Sequence, residues 1–345
     1  MRKRESSAFD DDSWYRFGRN QNIDKQKLKK LGVAQTVPEM RVFYDSAGQF
    51  CLNNVRVNGI LVEDSHAWYV LGILNSRVAD FVFRRISKPK EPRPSGAYFE
   101  ANKQYIAPLP IPAASDAQRE QVSQLARRLQ ELHSARRDTI QEISTRIQSS
   151  QMRPDEKKPD WLWAEIRDPA AWKKENPKQL KGRELTSWVK AQFEQRLNDR
   201  IAAIDEKISF GQTMLATFEN GELRFYVGNQ CIIDGVYVSD DEASIILPQW
   251  MEKARDKFVS ESVNADRIIK LLLDLRTTEN VALIQQLTTL TARLHSVENE
   301  ILTTEQQMEK LVFSLYELTA DERAIVEAGT EVRVNARIPR LNRRN

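Results

Sequence analysis

Trp68-Tyr69-Val70-Leu71-Gly72-Ile73-Leu74-Asn75-Ser76 stands at the centre of the densest stretch of the chain, residues 13–112. Tyr69, Leu71-Gly72, Ile73-Leu74, Val78 and Phe81-Val82 recur at helical spacing. They predict a helix over His66 to Arg85 with one broad apolar face. Upstream, Arg41–Asp45 and Gln49–Leu52 flank Ser46-Ala47-Gly48, the pattern of a β-hairpin with glycine at a permissive turn position. Val55, Val57 and Ile60-Leu61-Val62 continue the β-like pattern. Downstream, Pro89, Pro92 and Pro94 end any helix, and Ser95-Gly96 loosens the chain. Phe99 to Tyr105 then reads as a short strand or turn before Pro108, Pro110 and Pro112.

Beyond Pro112 the periods are helical. In 116–149, Val122, Leu125, Leu129 and Leu132 are spaced by threes and fours, and a shifted seam resumes at Ile140, Ile143 and Ile147. Asp116 is the candidate cap. Residues 150–182 scatter Pro154, Pro159, Pro169 and Pro177 among charges and Trp161, Trp163 and Trp172, which reads as an irregular insertion pinned by aromatics to the neighbouring helices, with a base-stacking platform as the alternative. Helix resumes over 185–208, with a stripe of Trp188, Val189, Phe193, Leu197, Ile201 and Ile204. From Glu222 to Val238 apolar residues alternate around Gly228-Asn229 and Asp234-Gly235, so a small β element is expected within 220–247. Residues 248–322 are helical again. Leu287, Leu290, Leu294, Val297, Ile301, Thr304, Met308, Leu311, Leu315 and Leu318 form a heptad seam with one polar position. It can pack on 116–149, on 185–208 or on a second molecule, giving a homo-oligomer through the long helices. The tail, 329–345, is basic.

The chain of 345 residues has 41% hydrophobic and 29% charged residues and a formal charge of +3. Such a balance implies no partner by itself. Two distant cysteines, Cys51 and Cys231, and three scattered histidines offer neither a disulfide framework nor a metal motif. The N-terminal Met1-Arg2-Lys3-Arg4-Glu5 has no apolar signal core, and no apolar run reaches membrane-spanning length; a cytoplasmic, non-membrane protein is expected. A start just ahead of the densest motif suggests a segment of a longer protein. Neither Gly-x-Gly-x-x-Gly nor Gly-x-x-x-x-Gly-Lys occurs. Asn176-Pro177-Lys178 lacks the second proline and the aromatic ring of a base-methylating motif. Pro159-Asp160 with Glu165-x-Arg167 lacks the lysine of a nuclease metal site and is attributed to chance.

Local charge is more informative. Residues 1–112 carry 18 Lys or Arg against 12 Asp or Glu. Lys25, Lys27, Lys29 and Lys30 form one cluster; Arg84, Arg85, Lys88, Lys90 and Arg93 form another. Such groups neutralise phosphates and position a duplex. Arg16, Arg19, Gln21, Asn22, Asn53, Asn54 and Asn58 include side chains suited to base edges. For Arg19 and Gln21 a structural hydrogen bond is the competing reading.

Three segments in this order resemble the C-terminal target-recognition region of the TaqI-like and Eco57I-like adenine-specific DNA methylases of restriction-modification and phage-defence systems. They are Trp14-x-x-Phe17-Gly18-Arg19-x-Gln21-Asn22, Tyr69 to Ser76 leading to Phe81 and Phe83, and Tyr105-Ile106-x-x-Leu109-Pro110-Ile111-Pro112. A weaker fourth, Leu311-Val312-Phe313-x-Leu315-Tyr316-Glu317-Leu318-Thr319-x-x-Glu322, looks like the closing helix of that family. The resemblance implies a module that grips double-stranded DNA and reads its sequence. S-adenosylmethionine binding and adenine-N6 transfer would be left to a methyltransferase catalytic domain or subunit, so the chain would hold no cofactor and not be catalytic alone. It further implies that the motifs are framework, with Asn75 and Ser76 bonding across the fold, and that target reading lies in 24–66 and 84–104. The expected class is α+β: a mixed α/β recognition domain (13–112) followed by long coiled-coil-like helices with a small inserted β element. The rival reading is a coiled-coil scaffold or interaction subunit of a defence complex.

Overall fold

A computed structural model describes residues 25–50, 56–90, 98–149, 179–209, 211–254, 257, 259–260 and 262–330. The class is α+β, with long helices and small antiparallel sheets. The described residues form two compact units, one from those within 25–90, 98–130 and 305–330, the other from those within 131–304.

In the first unit, β1 (Lys30–Ala34), β3 (Val42–Asp45) and β4 (Val57–Ile60) form an antiparallel sheet in the order β3-β1-β4. The short β2 (Thr36–Val37) pairs with β5 (Phe99–Glu100). Leu31, Val33, Val42 and Tyr44 point into the core. There they meet α1 (Asp64–Leu74), α2 (Arg77–Ile86) and the short α3 (Lys103–Ile106). The stretch read as one helix is thus two. Asn75 ends α1 and Ser76 caps α2, its hydroxyl accepting from the Ala79 amide and donating to the Ile73 carbonyl. An oxygen-bearing side chain at an N-cap satisfies a donor that the helix leaves open.

Strand β3 is an edge of its sheet, yet its outward backbone groups are all bonded. The Asn75 carboxamide accepts from the Val42 amide and donates to the Val42 carbonyl, both at 2.8 Å. The Gln130 carboxamide does the same for Tyr44, both at 3.0 Å. Asp80 accepts from the Met40 amide at 2.8 Å. Gln130 lies on α4 (Asp116–Ser149), whose Val122 and Ala126 press on Gly72 of α1. The predicted cap Asp116 is instead a first-turn residue. Ser115 caps α4 through a reciprocal box with Gln118, because its hydroxyl and amide meet the Gln118 amide and side chain.

The hairpin expected between 41–45 and 49–52 does not form among the described residues; Cys51 and Leu52 lie outside them. β3 pairs instead with β1, because Asp45 turns back to accept from the Gln49 and Phe50 amides and holds 46–50 as a loop. The unit is completed from far along the chain. Met308, Val312, Phe313, Leu315 and Val326 join its core. They come from α8 (Val281–Leu315) and α9 (Ala320–Thr330). The motif Thr319-x-x-Glu322 is the capping box of α9. Tyr316 donates to the Pro110 carbonyl and Tyr69 to the Pro112 carbonyl, each at 2.6 Å, so the closing and middle motifs both hold the exit prolines. Burial pushes both phenols above their ordinary range.

In the second unit, β6 (Met214–Glu219), β7 (Glu222–Val227) and β8 (Gln230–Tyr237) form a meander against α5 (Gly182–Asp205), α6 (Asp240–Ala254) and α7 (Ala265–Leu273). The β element therefore begins earlier and ends sooner than 220–247. Its first turn is Asn220-Gly221, with φ of 53° and 82°, whereas Gly235 lies within β8. Pro248 sits inside α6 rather than starting a helix. Burial of Ile245, Ile246 and Trp250 on that helix offsets an interior proline's cost of about 3 kcal/mol. The seam of α8 is buried within the chain. Leu287, Leu290 and Leu294 pack with Ile140 and Ile143 of α4, reinforced by the Arg136–Glu298 ion pair at 3.1 Å. Leu318 falls beyond the helix, because Glu317 adopts φ 53° and the Leu318 amide returns to the Phe313 carbonyl. Residues 150–178 and 331–345, which hold most of the Trp/Pro-rich insertion and the basic tail, lie outside the described residues. Among the described residues, no helix is long and apolar enough to cross a membrane.

Gly72 gives a test of the first unit's packing. A methyl there would lie 2.6 Å from Val122 Cγ1 and 3.2 Å from Met308 Cε. Gly72→Ala should therefore lower stability by roughly 1–2 kcal/mol in urea unfolding, overpacking outweighing the usual helical gain of alanine. Adding Val122→Ala should recover part of the loss.

Candidate nucleic-acid interface

The loop 25–29 leads into β1, and 46–50 leads out of β3. Across that strand pair Lys30 stands in register with Asp45. The Lys30 ammonium donates to Asp45 Oδ2 at 2.9 Å, the Gln26 carbonyl at 2.7 Å and the Leu28 carbonyl at 3.1 Å. Asp45 in turn accepts from the Gln49 and Phe50 amides, each at 2.9 Å. Lys30 is 4% exposed. Burial pushes the Asp45 carboxyl up, but the Phe50 amide, the Lys30 ammonium and the Gln49 amide together outweigh it and hold it below the ordinary carboxylate range. Each loop is thus tied to the same buried ion pair. They also touch directly: Gly48 has φ 63°, and a Cβ there would lie 2.2 Å from the Lys27 carbonyl oxygen.

This corrects the first lysine cluster. Lys30 is not available to a phosphate, because all three of its donors are spent inside the fold. Lys29 is exposed but pairs with Asp64 at 2.6 Å, and that hydrogen bond raises its pKa. Lys25 and Lys27 are exposed. The second cluster divides in the same way. Arg84 is largely buried against Asp80 at 2.5 Å and is a framework residue, since Asp80 also holds the Met40 amide. Arg85 lies over the Phe81 ring at 3.2 Å and donates to the Phe81 carbonyl at 2.9 Å. Lys90 pairs with Glu100 at 2.5 Å, a hydrogen bond that lowers the pKa of Glu100. Lys88 is exposed next to it. Arg16, Arg19, Gln21, Asn22, Asn53, Asn54 and Arg93 lie outside the described residues. Asn58 donates to the Ala101 carbonyl at 2.8 Å and so joins β4 to the segment after β5.

Residues 2–111 match the family model of the TaqI-like C-terminal specificity domain. The resemblance to that recognition region holds over the first third of the chain. No curated protein and no solved structure matches the chain. The loops 25–29 and 46–50, the sheet β3-β1-β4 and the 88–90 segment fall within the matched residues, whereas α8 and α9, which complete the core of this unit, lie outside the match. Sequence reasoning missed two residues on its surface. Phe43 and Phe50 are exposed aromatics on β3 and its following loop. Their outward direction depends on the register of β3 with β1, which the expected hairpin had wrong.

The buried pair predicts an acid-sensitive domain. With its folded-state pKa depressed, Asp45 contributes stability above its unfolded pKa of about 3.9, and that contribution is lost as pH falls through the folded value. Asp45→Asn should cost about 3–5 kcal/mol near neutral pH by leaving Lys30 buried without its charge partner. Denaturant unfolding from pH 7 to 3 should show this acid-dependent component in the parent and not in the variant.

Proposed function

We propose that the chain is the sequence-recognition part of a site-specific adenine-N6 DNA methyltransferase of a restriction-modification or phage-defence system. The observation that carries this reading is the specificity-domain match over residues 2–111. Lys25 and Lys27, which the loops of the buried ion pair present to solvent, neutralise phosphates and set the register on the duplex. Lys88 adds a second phosphate contact, and Lys29, Arg85 and Lys90 lie at the margins, each already engaged within the domain. Arg16, Arg19, Gln21, Asn22 and Arg93 remain candidates for DNA contact on sequence grounds. Base reading falls to the segments between the framework motifs.

Methyl transfer belongs, on this reading, to a separate catalytic domain or subunit that binds S-adenosylmethionine. The recognition domain holds the duplex so that the target adenine is extruded into the partner's pocket. Its own contribution is position and selectivity. Among the described residues no group of His, Cys, Asp and Glu could hold a metal ion.

Titration of the full chain onto duplex DNA, alone and with an adenine methyltransferase catalytic domain, tests the reading. Affinity should fall steeply with salt, and Lys25→Ala with Lys27→Ala should reduce the slope of log K against log salt by roughly 0.9 per lysine. Lys30→Ala should instead unfold or destabilise the domain. Absence of salt-dependent duplex binding under both conditions would overturn the proposal.

A further inference from the structure

On the outer face of the sheet β3-β1-β4, the residues in register across the centre are Phe43, Gly32 and Gly59. The Phe43 ring covers Gly32 so closely that a Cβ there would lie 2.4 Å from two ring atoms. Phe50 stands edge-on to Phe43, at 5.6 Å between centroids and 80° between planes. Phe43 is 37% exposed and Phe50 55% exposed. Both rings keep apolar surface in water that burial would have removed, so the pair is costly to display. Glycines beneath and beside it leave the rings standing above their strand neighbours.

The display is also held in place. Phe43 lies on a strand whose far edge is bonded by Asn75 and Gln130. The Phe50 amide is fixed on Asp45, the same carboxylate that binds Lys30. The loop bearing Phe50 leans, through Gly48, on the loop bearing Lys25 and Lys27. Exposed aromatics beside exposed lysines, on loops sharing one buried anchor, match the chemistry of a nucleic acid, whose phosphates take the charge and whose bases take the rings. The loop that touches the Phe50 loop carries the exposed Lys25 and Lys27, the sign of charge that a phosphate backbone takes.

We propose that Phe43 and Phe50 form an apolar contact site for the bases of duplex DNA, with Phe50 the ring that reaches the duplex and Phe43 the one that supports it. The site deepens the DNA-recognition reading and rests on it. It assigns part of the binding to a contact that does not depend on phosphate charge.

The test uses the full chain and a duplex library with randomised internal positions, at two salt concentrations. Phe50→Ala should keep the parent's thermal unfolding, because the ring is solvent-facing. It should lose roughly five- to tenfold in affinity, as expected for one lost apolar contact to a base edge or step, and keep the parent's salt slope. Phe50→Trp should restore binding, and the bases enriched by the parent should be enriched less by Phe50→Ala. If Phe50→Ala binds like the parent while the parent binds DNA, the aromatic site is wrong and the recognition reading stands. If Phe50→Ala retains DNA binding but loses association with the catalytic domain, the pair is a protein contact and the proposal is overturned. If the parent binds no duplex with or without that domain, both readings fall.

Discussion

The first unit depends on how an edge strand is closed. β3 has β1 on one side only, and its other side would leave amides and carbonyls without partners. Each such group, once buried, costs about 1–3 kcal/mol. Two carboxamides take the place of a fourth strand: Asn75 brackets Val42 and Gln130 brackets Tyr44. A carboxamide presents a donor and an acceptor in one plane, as a peptide group does, so it can occupy a strand position where an aliphatic or charged side chain could not. Because Asn75 ends α1 and Gln130 belongs to α4, these bonds fix where both helices stand on the sheet. Gly72 then lets α1 and α4 approach to side-chain contact. A related device recurs in the second unit, where Gln249 accepts from the Arg276 amide and donates to the Arg276 carbonyl.

On the opposite face of the same sheet, the buried Lys30–Asp45 pair organises the two loops that flank it. A buried ion pair is stable only when the remaining donors and acceptors are also met. Here they are met by the backbone of the two flanking loops, so the requirement itself shapes those loops. One consequence is a division of labour within the lysines of 25–30. Lys30 is structural, Lys29 is tied to Asp64, and Lys25 and Lys27 are exposed. The basic stretch 84–90 divides similarly into framework and surface.

The first unit is discontinuous in sequence. Its proline exit, 108–112, is held by Tyr69 from within the specificity match and by Tyr316 from well beyond it. Gly329 on α9 closes on the Phe81 ring, where a Cβ would lie 2.8 Å away. The weak closing motif is therefore a set of packing and capping residues: Tyr316 for the prolines, Glu317 for the left-handed end of α8, and Thr319 with Glu322 for the start of α9. A domain defined by residues 2–111 alone would lack the buried Met308, Val312 and Phe313.

Helices and the alternation of β7 were legible in the sequence, because each depends on spacing along a few turns or a few residues. Leu223, Phe225 and Val227, and the seam residues Leu287, Leu290, Leu294, Ile301, Thr304 and Met308, are buried as their periods predict. The motif order also sufficed for the resemblance to a recognition region, since Tyr69 to Ser76 and Tyr105 to Pro112 are contiguous signals. Tertiary structure decided everything that required a distant partner. It placed β3 beside β1 rather than in a local hairpin, because Asp45 gains more from Lys30 and two amides than from continuing a strand. It turned Lys30 inward and Phe43 outward, since strand register, which no local pattern carries here, sets which side chains a sheet buries; Arg84 follows Asp80 on its helix, and Phe50 is placed by its amide on Asp45. It also packed the α8 seam within the chain, on residues of α4 more than a hundred positions away, because the apolar stripes that must cover one another are fixed by the fold and not by their order.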